Sequence, residues 1–263
     1  MDPWASRRCA IAIGLAAVIP LAGSMPSRAE QGDANLVDAI SDAPHVLVRR
    51  IGIDGPPAGD RSADPVVFVL PDDVWDERRA WPYLDRLSLR GATTVEVFTD
   101  DDRHLTLQEA RAAVSATVEA LGLDPSRVGL LGFGSGGRLA LALAGPDNSA
   151  VALYPICAGA APPDPRARAL VLHSDDAAEA SACAALVHGR PAAHSSRAAA
   201  GAGHGWDVAG ERSDGRTLLP DPNAPDDLAR RLPARPDAWV TFRAARAVAG
   251  FLVGNSAARR PGG

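Results

Sequence analysis

The sequence contains no lysine; all 27 of its basic residues are arginine. Beside 25 glycines and 22 prolines, that excess reads as codon bias before it reads as function. No block of basic residues is present either, and 32 acids leave a net charge of -5, which argues against nucleic acid as the main partner. Internal repeats are absent. Extremes of composition are absent too: 22% charged residues with a mean hydropathy of -0.04 exclude a disordered tail protein and a multi-span membrane protein. At 263 residues the chain suits one large α/β domain better than two.

Cysteine is scarce, with three in the whole chain, and its placement depends on an export signal. Arg7-Arg8 precede an apolar run from Ala10 to Gly23, and Ser27-Arg28-Ala29 puts small residues at a cleavage site. Residues 1–29 therefore read as a secretory signal cut after Ala29, the alternative being a membrane anchor left in place. Ser6-Arg7-Arg8 hints at twin-arginine export, and Ser24 stands where a lipoprotein would carry its lipidated Cys. Removal takes Asp2, Arg7, Arg8 and Arg28, leaving 24 Arg and 31 acids, a net -7. The mature chain is expected to be periplasmic or secreted, with no membrane contact once the signal is gone. Cys9 leaves with the signal, so Cys157 and Cys183 remain. An oxidising compartment favours their pairing, the alternative being two buried thiols.

Residues 30–44 read as a flexible leader, 45–254 as the folded domain and 255–263 as a disordered tail. His45–Ile53 is expected as an edge strand. Val66–Leu70 is a continuous apolar run, as in a strand buried on both faces. Further strands are expected over Thr93–Phe98, Val128–Leu131, Ala150–Tyr154 and Ala169–His173. Helices are expected from Pro82 to Arg90, from Thr106 (with Glu109 as a capping box) to Leu121, over Arg138–Ala144, over Ala177–Val187, and through Trp239, Phe242, Val248, Phe251 and Leu252. Residues 201–236 read as irregular. Strands alternating with helices imply a doubly wound, mostly parallel sheet, whose ligands sit at the carboxyl ends of the strands.

Gly132-Phe133-Gly134-Ser135-Gly136-Gly137 follows a strand and opens a helix. As a dinucleotide fingerprint it needs an acid at the end of the next strand, where Tyr154-Pro155-Ile156-Cys157 has none. As a nucleophile elbow it needs small residues two before and two after the tip. Gly132 and Gly136 then bracket Gly134, leaving Ser135 beside the tip. A third possibility is a turn that merely packs a helix on a sheet. His204 lies late in the chain, flanked by Gly203 and Gly205, and Asp175 and Asp176 follow the strand ending at His173. Nucleophile, acid, histidine is the triad order of α/β-hydrolases. Asp100-Asp101-Asp102 reads as a solvated turn rather than a metal site.

Together these segments resemble the dienelactone hydrolase family of α/β-hydrolases, from about Val66 to Leu252. The shared pattern is strand–Gly132-Phe133-x-x-Gly136-Gly137–helix, Tyr154-Pro155-x-Cys157, Asp175-Asp176 before Cys183, and Gly203-His204-Gly205-Trp206-Asp207. The resemblance implies an α/β-hydrolase fold, hydrolysis of a small carboxylic ester or lactone, no metal or organic cofactor, and a monomer or weak dimer. It also supports the Cys157–Cys183 disulfide, since exported members carry both cysteines. The family's nucleophile matches Gly134, and its acid falls on Asp175 or, aligned on the preceding strand, on Ala177. Pro71-Asp72-Asp73 follows the strand Val66–Leu70, where relatives often carry His-Gly; Pro71 has no N–H, and a carboxylate would repel an oxyanion. Two expectations follow. In the first, a displaced triad uses Ser135 as nucleophile, His204 as base and Asp175 or Asp176 as orienter. In the second, the site has become a non-catalytic binding pocket, and serine-directed probes label Ser135 weakly. A dinucleotide-binding protein is the remote alternative.

Overall fold

The computed structural model describes residues 46–51, 64–72, 77–99, 104–189, 194–208, 217–221, 227 and 229–254. The expected signal, leader and tail, and the Asp100–Asp102 turn, lie outside these residues. Seven strands form one sheet in the order β1-β3-β2-β4-β5-β6-β7. They span β1 Val46–Ile51, β2 Val66–Leu70, β3 Thr93–Thr99, β4 Val128–Phe133, β5 Ser149–Leu153, β6 Arg168–His173 and β7 His194–Ala198. Only β1 runs antiparallel, along β3 at the sheet edge; the other six are parallel. Among the described residues, five α-helices lie between and after them: α1 Glu77–Ser88, α2 Leu107–Ala120, α3 Gly134–Leu143, α4 Ala177–Val187 and α5 Ala238–Val253. This is the expected doubly wound α/β architecture. Among the described residues no helix is long and apolar enough to cross a membrane.

The alternation within β2 shows how the sheet is covered. Val67 and Val69 pack under Tyr83 and Leu87 of α1 and Val248 and Leu252 of α5. Val66, Phe68 and Leu70 pack on the opposite face with Ala110 and Ala113 of α2 and Ala140 of α3. A strand buried on both faces must be apolar at every position, so its periodicity vanishes. The capping box at Thr106 forms as expected: its hydroxyl accepts from Glu109 N–H and the Glu109 carboxylate accepts from Thr106 N–H.

Several boundaries differ from expectation. Helix α1 starts five residues before Pro82, which sits inside it at the loss of one backbone bond. The extra turn carries Arg79 onto the same face as Tyr83, and burial of both outweighs the proline. α3 starts at Gly134 rather than Arg138. Residues 201–236 are not wholly irregular, because Leu218–Pro220 and Arg231–Pro233 pair antiparallel as β8 and β9. β7 (HSSRA) is an unexpected strand, too polar to read as one. Trp239, expected on the buried face of α5, is 65% exposed and stacks on Phe242.

Candidate active site

The glycine turn at the end of β4 is a sharp elbow enforced by close backbone approach. A Cβ on Gly132 would stand 2.1 Å from Gly136 O, and one on Gly136 would stand 2.1 Å from Leu70 O. Neither position admits a side chain. The tip is Gly134, at φ +49, in the left-handed region that strains other residues. Ser135 is the second residue of α3 and half-buried. It therefore stands beside the tip, at the position whose backbone N–H serves an oxyanion hole in such elbows.

The space in front of Gly134 is occupied from the neighbouring strand. Asp72, just past β2, puts Oδ2 2.8 Å from where a Gly134 Cβ would be. Its Oδ1 accepts a 2.7 Å hydrogen bond from Arg79 Nη1, in an ion pair whose side chains are 0% and 6% exposed. Arg79 also donates to the Tyr154 hydroxyl and lies 3.5 Å from Asp207 Oδ1. Asp207 accepts from Tyr154 at 2.6 Å and from Tyr83 at 2.8 Å, and Tyr83 accepts from the Trp206 indole at 3.1 Å. Burial, with Asp207 adding to it, pushes the Tyr83 phenol well up. Burial and the two carboxylates do the same at Tyr154 against the pull of Arg79. Burial also raises the Asp207 carboxyl, although Arg79 and both phenols act against it. For Arg79, burial favours the neutral form, but Tyr154, Asp72 and Asp207 together outweigh it and hold the cation. Tyr154 itself is at φ +38 and Ile156 at φ +50, strained conformations of about 1–3 kcal/mol each, while Tyr154 lies wholly within this cluster.

His204 is placed by the loop between β7 and β8 and is buried. Its carbonyl accepts from Arg235 N–H, and its ring stands edge-on to Tyr154 at 5.5 Å. The carboxylate facing it is neither Asp175 nor Asp176 but Glu179. Glu179 Oε2 lies 3.7 Å from His204 Nδ1, an ion-pair distance too long for a hydrogen bond, and Nδ1 has no hydrogen-bond partner among the described residues. Glu179 is 2% exposed and accepts from the Ser174 hydroxyl and, at 3.5 Å, from Ser174 N–H. Burial drives its pKa up, but His204 and the Ser174 bonds prevail and leave it below the usual carboxylate range.

Both expected acids are occupied elsewhere. Asp176 caps α4, its Oδ1 accepting from Ala178 and Glu179 N–H. Asp175 is exposed and accepts from Gly201 N–H. The misplacement has a simple cause: a loop acid next to a strand end can be used by backbone donors, and the first turn of the following helix then supplies the acid for the histidine. A pocket of about 250 Å³ opens beside the pair, lined by Asp175, Glu179, Gly203, His204, Leu232 and Arg235 among others. Cys157 and Cys183 form a disulfide that ties the loop after Tyr154 to α4, one turn from Glu179. Among the described residues no three His, Cys, Asp or Glu side chains group as metal ligands.

Sequence reasoning missed Arg79, Tyr83 and Glu179. The available signals were the only acid in an otherwise apolar α4, and an Arg and a Tyr one turn apart beside a proline.

No protein-family model and no curated protein matches the sequence. Solved structures do match. A dienelactone hydrolase-like promiscuous phosphotriesterase from metagenomic libraries is 19% identical with a TM-score of 0.50, over 80% of this chain and 98% of that one. An alpha/beta hydrolase enzyme from a Medee basin deep-sea metagenome library is 17% identical with a TM-score of 0.47, over 78% and 93%. The chain has the α/β-hydrolase fold, and its structural neighbours include a dienelactone hydrolase-like enzyme.

Proposed function

We propose that the protein hydrolyses a small carboxylic ester or lactone, with His204 drawing the proton from an attacking water and Glu179 orienting the imidazole. The observation that carries this reading is the buried Glu179–His204 pair. Keeping an ionised carboxylate out of water costs several kcal/mol, and apolar replacements of buried polar pairs are often neutral or stabilising. A buried acid–histidine pair beside an open pocket therefore points to use. Ser135 enters through its backbone N–H, which at this position of an elbow serves a developing oxyanion. Asp175 and Asp176 shape the loop and the helix start. The phosphotriesterase neighbour is a hydrolase, which supports the reaction class. No metal or cofactor takes part in this scheme. The Arg7-Arg8 segment and the Cys157–Cys183 disulfide support a periplasmic or secreted location.

A non-catalytic binding protein is the second reading, favoured by the Asp72 carboxylate in front of the elbow. Turnover separates the two. Protein recovered from the periplasm, expected to begin at Glu30, is assayed with para-nitrophenyl acetate and dihydrocoumarin. We expect His204→Ala to lower turnover by about 10²- to 10⁴-fold, and a fluorophosphonate probe to leave Ser135 unlabelled. Equal rates for wild type and His204→Ala would refute the hydrolase reading and leave the binding pocket.

A further inference from the structure

We propose that the cleft between α1 and α5 is a second binding site, built for a small aromatic anion such as an aryl carboxylate or sulfonate. The cleft measures about 650 Å³ and shares no lining residue with the pocket beside His204, so the inference stands apart from the hydrolase reading. A volume of that size lies in the usual range of small-molecule sites, roughly 300–1,000 Å³. Trp81 and Leu89 of α1 line it and are exposed, and Phe242 of α5 carries the exposed Trp239 stacked on its ring. Three of the six exposed large hydrophobic side chains among the described residues thus gather at one cleft, a concentration that marks a contact surface rather than scatter.

Arg86 supplies the charge that selects the ligand. It lines the cleft half-buried, with its guanidinium over the Phe242 ring at 4.7 Å from the centroid. Among the described residues it makes no hydrogen bond or ion pair. A guanidinium held on a ring face keeps its in-plane N–H donors available, and that fork matches two oxygens of a carboxylate or sulfonate. The ring contact also holds the fork in place, so an arriving anion has less left to order. Arg246 lies over the same ring at 5.9 Å, and Arg78 lines the cleft too; both add positive potential. The acids at the cleft do not cancel this charge. Asp237 accepts from Trp239 and Val240 N–H as the cap of α5, and Asp207 lies beneath beside Arg79. Asp85 is exposed and forms no ion pair with its neighbour Arg86. A neutral aromatic molecule would leave the Arg86 fork unmatched, and an inorganic anion would leave Trp81 and Phe242 wet. An anion carried on a ring uses both.

The test compares 1-anilinonaphthalene-8-sulfonate with its uncharged counterpart N-phenyl-1-naphthylamine, titrated into the full mature protein by fluorescence and calorimetry. The wild type should bind one sulfonate per chain, and more tightly than the neutral probe. Arg86→Met keeps an apolar stem and removes the fork. It should weaken the sulfonate by about 10- to 100-fold and leave the neutral probe nearly unchanged. Trp81→Ala should weaken both probes, and His204→Ala should weaken neither. The sulfonate also reports loosened packing, so each variant is first compared with the wild type in denaturant unfolding. Should Arg86→Met loosen the fold, Arg86→Lys takes its place, since a point charge without the planar fork recovers only part of the preference. The proposal is overturned if the wild type binds the two probes equally, if removing the Arg86 fork leaves sulfonate affinity unchanged, or if His204→Ala abolishes binding, which would put the sulfonate in the other pocket.

Discussion

Arg79 and His204 each anchor a buried cluster of charge at the same end of the sheet, and the two clusters are held very differently. Around Arg79, two phenols donate to Asp207 and the Trp206 indole donates to one of them, Tyr83. Around His204, the partner carboxylate is 3.7 Å away and Nδ1 has no hydrogen-bond partner among the described residues. The first arrangement resists change in protonation, since burial raises both phenols and the cluster retains the Arg79 cation. The second leaves a ring nitrogen whose bond can tighten as the imidazole takes a proton, as apo catalytic contacts often do. One loop serves both: Trp206 and Asp207 are hydrogen-bonded to Tyr83 of α1, and His204, two residues before Trp206, is held by its carbonyl to Arg235 N–H.

The largest effect should come from breaking the locked cluster. Arg79→Met removes the cation from between Asp72 and Asp207, whose side chains are 6% and 0% exposed. Stranding buried charges in this way costs about 3–5 kcal/mol, to be read from denaturant unfolding at neutral pH. Loss below about 1 kcal/mol would mean that the cluster is no more demanding than a surface pair.

A smaller effect concerns the elbow. At φ +49 a serine in place of Gly134 carries backbone strain of about 1–3 kcal/mol, and its Cβ would meet Asp72 Oδ2 at 2.8 Å. Gly134→Ser alone should therefore remain silent to a fluorophosphonate probe. Adding Asp72→Ala opens the space, and labelling at position 134 should appear and then vanish on further change of His204 to Ala. Labelling of the single variant would show that Asp72 yields easily, which would weaken the contrast between a locked and a poised region.

Much of the fold was legible because burial on both faces writes itself as unbroken apolar runs, as in Val66–Leu70 and in the fully buried β4. β7 was not, since a parallel edge strand of His, Ser, Ser, Arg and Ala has neither an apolar run nor alternation. The start of α3 was hidden by glycine's poor helix propensity; backbone contacts at 2.1 Å demand glycine there regardless. In the site, the turn and His204 were visible as glycine-flanked chemistry. Glu179 was not, because an acid in the first turn of a helix is ordinarily a solvated partner of the helix dipole. Only the fold reveals that this one faces inward.

The finest distinction between the clusters lies in acid. Glu179 is held below the ordinary carboxylate range by His204 and Ser174 against its burial, whereas burial holds Asp207 above it. For Glu179 the folded pKa lies below the unfolded one. Its contribution to stability is thus present above the unfolded value, about 4.3, and is lost as pH falls through the folded value. Asp207 has the opposite sign: its contribution is present below the unfolded value of about 3.9 and is lost as pH rises through the folded one. Unfolding free energy measured from neutral pH down to about pH 3 should therefore fall less steeply in Glu179→Gln than in wild type. In Asp207→Asn it should fall more steeply, because a gain on acidification has been removed. Parallel curves for the two variants would mean that the carboxyls share one environment, and the division into a locked and a poised region would then have no electrostatic basis.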